Sequence, residues 1–353
     1  MAKIHIVGAG PSGSIAAISA LQNNHSVIMS EDHPVSGTPE NCSGLFSADG
    51  LNSLSNFLNY RKFIHRRIYG ADIHIGGEKL QIRRKEPVGF VCDRSGLDQE
   101  LSGNAQKEGA KINYHERVTN NFHSTNIIGA DGPLSTVARH FGFPKIKDYA
   151  ATFQSVVDYQ AENPDIVEVF LSTHFHGFFG WIIPHDEYSA EFGVGVKFPA
   201  HPRNAWNHLF KIKNLQVPRP KGAVIPISTR SKTAAKKGKN NVLLVGDAAG
   251  QVKATTGGGV IFGGNCAAIA GKHPTNPIAY ELEWRTRFGP DLAIHSIVHN
   301  YLASCSESQF TAIGRRLKKL NLDDYLSTYG HMDRPTKMIG PGMILHMIKN
   351  GVA

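Results

Sequence analysis

The chain has 353 residues, 41% hydrophobic and 19% charged, a composition that excludes a disordered or fibrous protein. Its length exceeds what one hydrophobic core usually serves, so two lobes, or a core with a large insertion, are expected. A net charge of +9 admits nucleic acid, an anionic membrane or an acidic partner, but the basic residues are spread out, and their one dense cluster, Lys232 to Lys239, reads as a solvated loop. Lys3-Ile4-His5-Ile6-Val7 is a buried strand rather than the start of a secretory signal, which points to the cytoplasm. Gly8-Ala9-Gly10-Pro11-Ser12-Gly13 is a turn, Ile15 to Leu21 belongs to a helix, and Val27-Ile28-Met29 is a second strand. This βαβ unit opens a dinucleotide-binding fold. Residues 34–56 read as a long loop around Cys42, and residues 60–90 as short antiparallel strands.

Asp93 to Glu108 reads as a helix, with strands at Lys111 to Tyr114 and Asn126 to Gly129 rejoining the first sheet. Residues 150–230 alternate like strands, which suggests an antiparallel sheet inserted into a parallel one. Asn241 to Asp247 is another buried strand, and the chain after about residue 260 is mostly helical. The expected fold is α/β: a Rossmann-like dinucleotide-binding domain, an inserted antiparallel β-sheet that forms a substrate domain and a helical carboxy-terminal region. The corresponding division assigns 1–58, 86–148 and 235–285 to the first, 59–85 and 149–234 to the second, and 286–353 to the third. Cys42, Cys92, Cys266 and Cys305 form no C-x-x-C pair, against a disulfide framework or a zinc site, and no metal is expected.

The chemistry starts at Gly8, Gly10 and Gly13, a G-x-G-x-x-G between strand and helix that lets backbone approach a pyrophosphate at the positive helix end. Ser12 lies within this turn, and Glu31, roughly twenty residues on, is placed to accept ribose hydroxyls. The triplet leaves NAD and FAD open. Ile128-Gly129-Ala130-Asp131-Gly132-Pro133 and Val245-Gly246-Asp247-Ala248-Ala249-Gly250 resemble the two flavin motifs of the p-hydroxybenzoate-hydroxylase type of flavoprotein, and Arg94 matches that group's cofactor arginine. The resemblance implies FAD, with Asp131 and Arg94 against the cofactor and Asp247 on its ribityl chain.

Within that superfamily, Lys253-Ala254-Thr255-Thr256-Gly257-Gly258-Gly259-Val260 and Asn41-Cys42-Ser43-Gly44-Leu45 resemble loops of the geranylgeranyl reductase family, including archaeal digeranylgeranylglycerophospholipid reductases. The first departs from the family by Ala254 in place of proline. By this resemblance Gly258, Gly259, Val260, Cys42, Ser43 and Leu45 border the flavin, and Cys42 is a candidate catalytic group, with a small buried hydrophobe as its alternative. Phe179-Gly180-Trp181-Ile182-Ile183-Pro184 resembles the reductases' aromatic-x-W-x-F-P motif, though Ile183 suits the W-x-W-x-I-P of flavin-dependent halogenases better. Phe179, Trp181 and Pro184 are therefore candidate substrate contacts.

The implied activity is saturation of isoprenoid double bonds in membrane-lipid biosynthesis by hydride from flavin N5, the alternative being a flavin monooxygenase or halogenase. The implied partners are an isoprenoid lipid and either NADPH or ferredoxin as electron donor. Nothing resembles an aromatic-interleaved basic stripe, so nucleic acid is not expected. Met338, Ile339, Met343, Ile344, Leu345, Met347 and Ile348, flanked by Lys337 and Lys349, could rest on a membrane surface or dock on the protein's own core.

Overall fold

The computed structural model describes residues 1–40, 42–338 and 343, so most of the apolar carboxy-terminal segment, including Ile339, Ile344, Leu345, Met347 and Ile348, lies outside the described residues, as does Asn41. A six-stranded sheet runs in the order Ala234–Lys237, Asn240–Leu244, Asn126–Gly129, Lys3–Val7, Ser26–Ser30, Lys111–Asn113. All its pairings are parallel except the edge hairpin that contains Lys236 and Lys237. The basic cluster at 232–239 is thus partly a strand, because Ala234 and Ala235 bury their side chains beneath the exposed lysines. Lys3–Val7 lies between two parallel neighbours and is buried from Ile4 onward, so it reads as a continuous apolar run without alternation.

A seven-stranded sheet follows the order Lys221–Pro226, Tyr149–Asp158, Ser189–Lys197, Gly180–Pro184, Ile166–Leu171, Gly70–Ile75, Glu78–Arg83. It is antiparallel except where Ile166–Leu171 runs parallel to Gly70–Ile75, a junction made by two segments far apart in the chain. A three-stranded sheet joins Leu45–Ser47, Gly89–Cys92 and Ile64–Ile68. The stretch 34–56 is therefore not all loop: it holds the strand Leu45–Ser47 and the helix Ala48–Ser53, whose N-terminus the Ser47 hydroxyl caps by accepting from the Gly50 amide. Likewise the helix Arg203–Ile212 interrupts the β-like stretch 150–230. Its Trp206, Leu209 and Phe210 recur at helical spacing and bury against Phe192, Val194 and Val196.

The first helix, Pro11–Gln22, packs directly on Val260–Lys272. The approach is so close that a Cβ on Gly271 would lie 2.5 Å from the Ala16 carbonyl oxygen. Gly271→Ala should therefore destabilise the protein by about 1–3 kcal/mol, although alanine favours helix over glycine by about 1 kcal/mol. Gly103, in the helix Arg94–Lys107, has open space around its absent Cβ, and Gly103→Ala should stabilise by about 0.5–1 kcal/mol. Urea unfolding of both variants checks the pair; equal effects would contradict the packing account.

Candidate flavin and substrate cavity

Between the sheets lies a cavity of about 1360 Å³, above the roughly 300–1,000 Å³ of pockets that take one small ligand. One end is walled by Gly8, Gly10, Ser12, Glu31 and Asp131, the other by Phe178, Phe179, Trp181, Ile183, Val167 and Ile225. Cys42, Ser43, Leu45, Arg94, Asp247 and Gly257 to Val260 stand in the wall as well. The structure thus brings nearly all the residues singled out in the sequence to one space. Two stand back from it. Gly13 lies beneath the turn, where a Cβ would come 2.0 Å from the Gly8 carbonyl oxygen, and Pro184 is buried at the end of its strand, outside the cavity wall. A substrate contact by Pro184 is therefore not what this fold provides; the proline ends a strand whose earlier residue, Trp181, reaches the cavity.

Two helix N-termini, those of Pro11–Gln22 and Val260–Lys272, open on the cavity at Gly10 and Gly259, and neither has a side-chain cap. Asp93, Ser135 and Asn276, by contrast, cap the helices that follow them. Uncapped amides and positive dipole ends facing one space suit an anionic ligand. Glu31 serves the turn itself: its carboxylate accepts the Ala9 amide at 2.8 Å and pairs with the His33 ring at 2.7 Å. Asp131 is more fully committed. It accepts from the Ser135 hydroxyl at 2.6 Å, from the Thr136 amide and hydroxyl at 2.7 and 2.8 Å, and from the Val137 amide at 3.0 Å. Its main work is shaping the turn before Thr136–His140, with the cavity wall formed as a consequence.

Arg94 clasps Asp98 in a bidentate pair, 2.8 Å from Nε and 2.9 Å from Nη2. Burial opposes its charge, but Asp98 and the neighbouring Cys42 outweigh burial and hold its pKa above the ordinary value. Asp247 faces the same region without a side-chain partner among the described residues, and a Cβ on Gly259 would lie 2.7 Å from its Oδ1. Burial raises the Asp247 pKa while Arg94 draws it down. A half-buried carboxylate on the cavity wall, with no protein donor among the described residues, can accept ligand hydroxyls.

Two features had no local signal. Lys253, inside the glycine-rich loop, pairs with Asp333 at 2.6 Å, both side chains being buried, and Ser47 donates to the same carboxylate. Burial works against the Asp333 charge, yet Lys253 and Ser47 hold its pKa below the ordinary carboxylate value. Nearby Thr255 shares a 2.7 Å hydrogen bond with His295, whose pKa burial pushes down to about 4, with Lys253 contributing. The second feature is Glu191, which accepts the Trp181 indole N–H at 3.1 Å. Neither Asp333, His295 nor Glu191 belongs to a motif, and only the fold reveals their partners.

The FAD binding domain family matches residues 89–268, just over half of the chain. The chain belongs to that family. FAD is its cofactor, and the uncapped helix ends, Glu31 and the unpaired Asp247 fit the group. Digeranylgeranylglycerophospholipid reductase 1 of Methanothermobacter thermautotrophicus is 25% identical, with 92% of each chain covered. An uncharacterised protein of Methanocaldococcus jannaschii is 26% identical over 94% of this chain and 92% of its own. Among solved structures, a geranylgeranyl bacteriochlorophyll reductase-like protein of Thermoplasma acidophilum has a TM-score of 0.81 at 20% identity, over 99% of this chain and 96% of that one, and so shares the fold. No helix among the described residues is long and apolar enough to cross a membrane.

Burial pushes the Glu191 carboxyl up to about 7, against the opposing hydrogen bond from Trp181. Because the folded state holds this proton more tightly, the group's contribution to stability is complete below its ordinary value of 4.5 and is lost as pH rises to about 7. Glu191→Gln keeps an acceptor for Trp181 and removes the titration. Its stability relative to wild type should therefore grow across that window, by up to about 3 kcal/mol. Thermal melts from pH 4.5 to about 8 check this; an unchanging difference would show that Glu191 does not titrate there.

Proposed function

We propose that the protein is an FAD-dependent reductase that saturates carbon–carbon double bonds of geranylgeranyl chains in membrane-lipid biosynthesis. The observation that carries this reading is the direct meeting of the apolar wall with the glycine-rich loop: a Cβ on Gly257 would lie 3.3 Å from the Phe178 ring and 3.2 Å from Ile225. Reduced flavin supplies a hydride equivalent from N5 when bound. The chain's own residues do the rest. Phe178, Phe179, Trp181, Ile183 and Val167 present a dry wall along which an isoprenoid lies, and they exclude water from the reacting carbons. The uncapped start of Val260–Lys272 directs positive dipole toward charge gathered on the cofactor.

On this reading, residues 1–58, 86–148 and 235–285 hold FAD, 59–85 and 149–234 form the channel, and Leu302, His331 and Met332 of the helical region after 286 border it. Asp247 takes the ribityl hydroxyls, and Cys42, half-buried in the wall beside Arg94, stands where it can present a thiol to the substrate. The net charge favours an acidic ferredoxin over NADPH as donor. Exposed Ile297, Val298 and Tyr301, next to the cavity residue Leu302, suit contact with a membrane from which the lipid enters.

Anaerobic incubation of the reduced enzyme with a geranylgeranyl lipid should give products heavier by successive pairs of hydrogens, and mass spectrometry reads them. An unaltered lipid would overturn the proposal. The second reading, a monooxygenase or halogenase, rests on the Trp181-x-Ile183-Pro184 pattern. Oxygen-dependent hydroxylation or chlorination of an aromatic compound would favour it.

A further inference from the structure

The cavity's apolar wall contains one polar side chain that the reading above leaves without a task. Gln154, on Tyr149–Asp158, is only 8% exposed and lines the cavity, yet its carboxamide has no hydrogen-bond partner among the described residues. Buried polar groups are ordinarily partnered, and an unpartnered one in a ligand cavity awaits a ligand atom. Its neighbours are fixed by register. Trp181 opposes Gly193, Gly193 opposes Gln154 and Gln154 opposes the exposed Lys221, so the four form one row on one face of the sheet. A Cβ on Gly193 would fall 2.0 Å from the Trp181 ring. The missing side chain lets the indole lie over Gly193 toward Gln154, while Glu191 holds the indole N–H.

The position along the sheet matters as well. Two residues further on, Gly195 lies under the Phe178 ring, where a Cβ would be 2.1 Å from it, and Phe178 is the side chain that meets Gly257. The Gln154 row therefore stands about 7 Å along the strand from the row that touches the flavin loop. A carboxamide can donate and accept but carries no charge. Beside the Trp181 indole, with the exposed Lys221 at the sheet edge on its other side, it can bond an uncharged oxygen of a ligand.

Resting on the reductase reading, we propose that Gln154 forms a polar subsite that hydrogen-bonds an ether or hydroxyl oxygen of the isoprenoid substrate and so sets which end of the chain approaches the flavin. Binding is measured on oxidised holoenzyme, from the perturbation of flavin absorbance by two probes: geranylgeraniol and an isoprenoid hydrocarbon of equal length without oxygen. Loss of one neutral hydrogen bond corresponds to about a five- to tenfold change. Gln154→Met should weaken geranylgeraniol by that factor and leave the hydrocarbon within about twofold. Should Q154M not fold, Gln154→Asn withdraws the amide by one methylene and should give the same selective loss.

Equal weakening of both probes, or of neither, overturns the subsite, since a packing residue would not discriminate them. Wild-type protein that binds geranylgeraniol no more tightly than the hydrocarbon overturns it too. These titrations involve no turnover, so a selective loss without product formation would sink the reductase reading and leave the subsite standing. Binding of neither probe to wild type would remove both.

Discussion

The close packing of Pro11–Gln22 on Val260–Lys272 is the constraint from which the site follows. These helices stand more than two hundred residues apart, and glycine brings them into close contact: Gly271 abuts Ala16, and a Cβ on Gly263 would lie 2.7 Å from the Ser12 hydroxyl. One consequence is that Gly10, Asp247 and Gly259 border a single space. A second is electrostatic. Each helix end carries roughly half a positive charge, and two of them face the same cavity without a capping side chain. The arrangement is one that an anion relieves, so bound FAD adds stability that grows with the logarithm of its free concentration over its dissociation constant.

The second tie runs through Lys253 and Asp333. Burying an ion pair returns little net stability, whereas removing one partner leaves a stranded charge. Its value here is register. Lys253 sits in the loop before Gly257, Asp333 in the segment after Leu322–Tyr329, and Ser47 at the start of Ala48–Ser53, so one carboxylate fixes three parts of the wall. Arg334 and Thr336 fasten the same segment to Asp291 on the long helix Pro277–Ala303. His331 and Met332 are thereby held against the cavity.

How much of this the sequence reveals depends on the range of the interaction. The βαβ opening is legible because strand, glycine turn and helix are neighbours whose chemistry is local: Gly8 adopts a φ of 101°, which glycine tolerates best. The fold class and the gathering of Cys42, Arg94, Asp247 and Gly257 to Gly259 follow from motifs of that kind. Asp131 belongs to such a motif too, but its hydrogen bonds show a turn being built, which the letters D-G do not distinguish from ligand binding. The helix Arg203–Ile212 carries its apolar residues at helical spacing, but it is only ten residues long and stands in a stretch whose alternation elsewhere is that of strands, so it is easily read as one of them. The Asp333 and Glu191 contacts are set by tertiary packing and register, and no spacing rule reaches them.

The same division explains where the chemistry can occur. The six-stranded sheet offers loops with backbone amides, a polar surface fit for phosphates and ribityl hydroxyls. The seven-stranded sheet offers rows of side chains on a face, which suit a long apolar chain. The loop of one meets a row of the other where Gly257 touches Phe178 and Ile225. On the proposed reading, reactivity and specificity can change separately: residues on the loop would act on the cofactor, and residues one row away, beside Trp181, on what is presented to it. A fold built in this way can exchange its substrate by altering the sheet face while leaving the helix packing that holds FAD untouched.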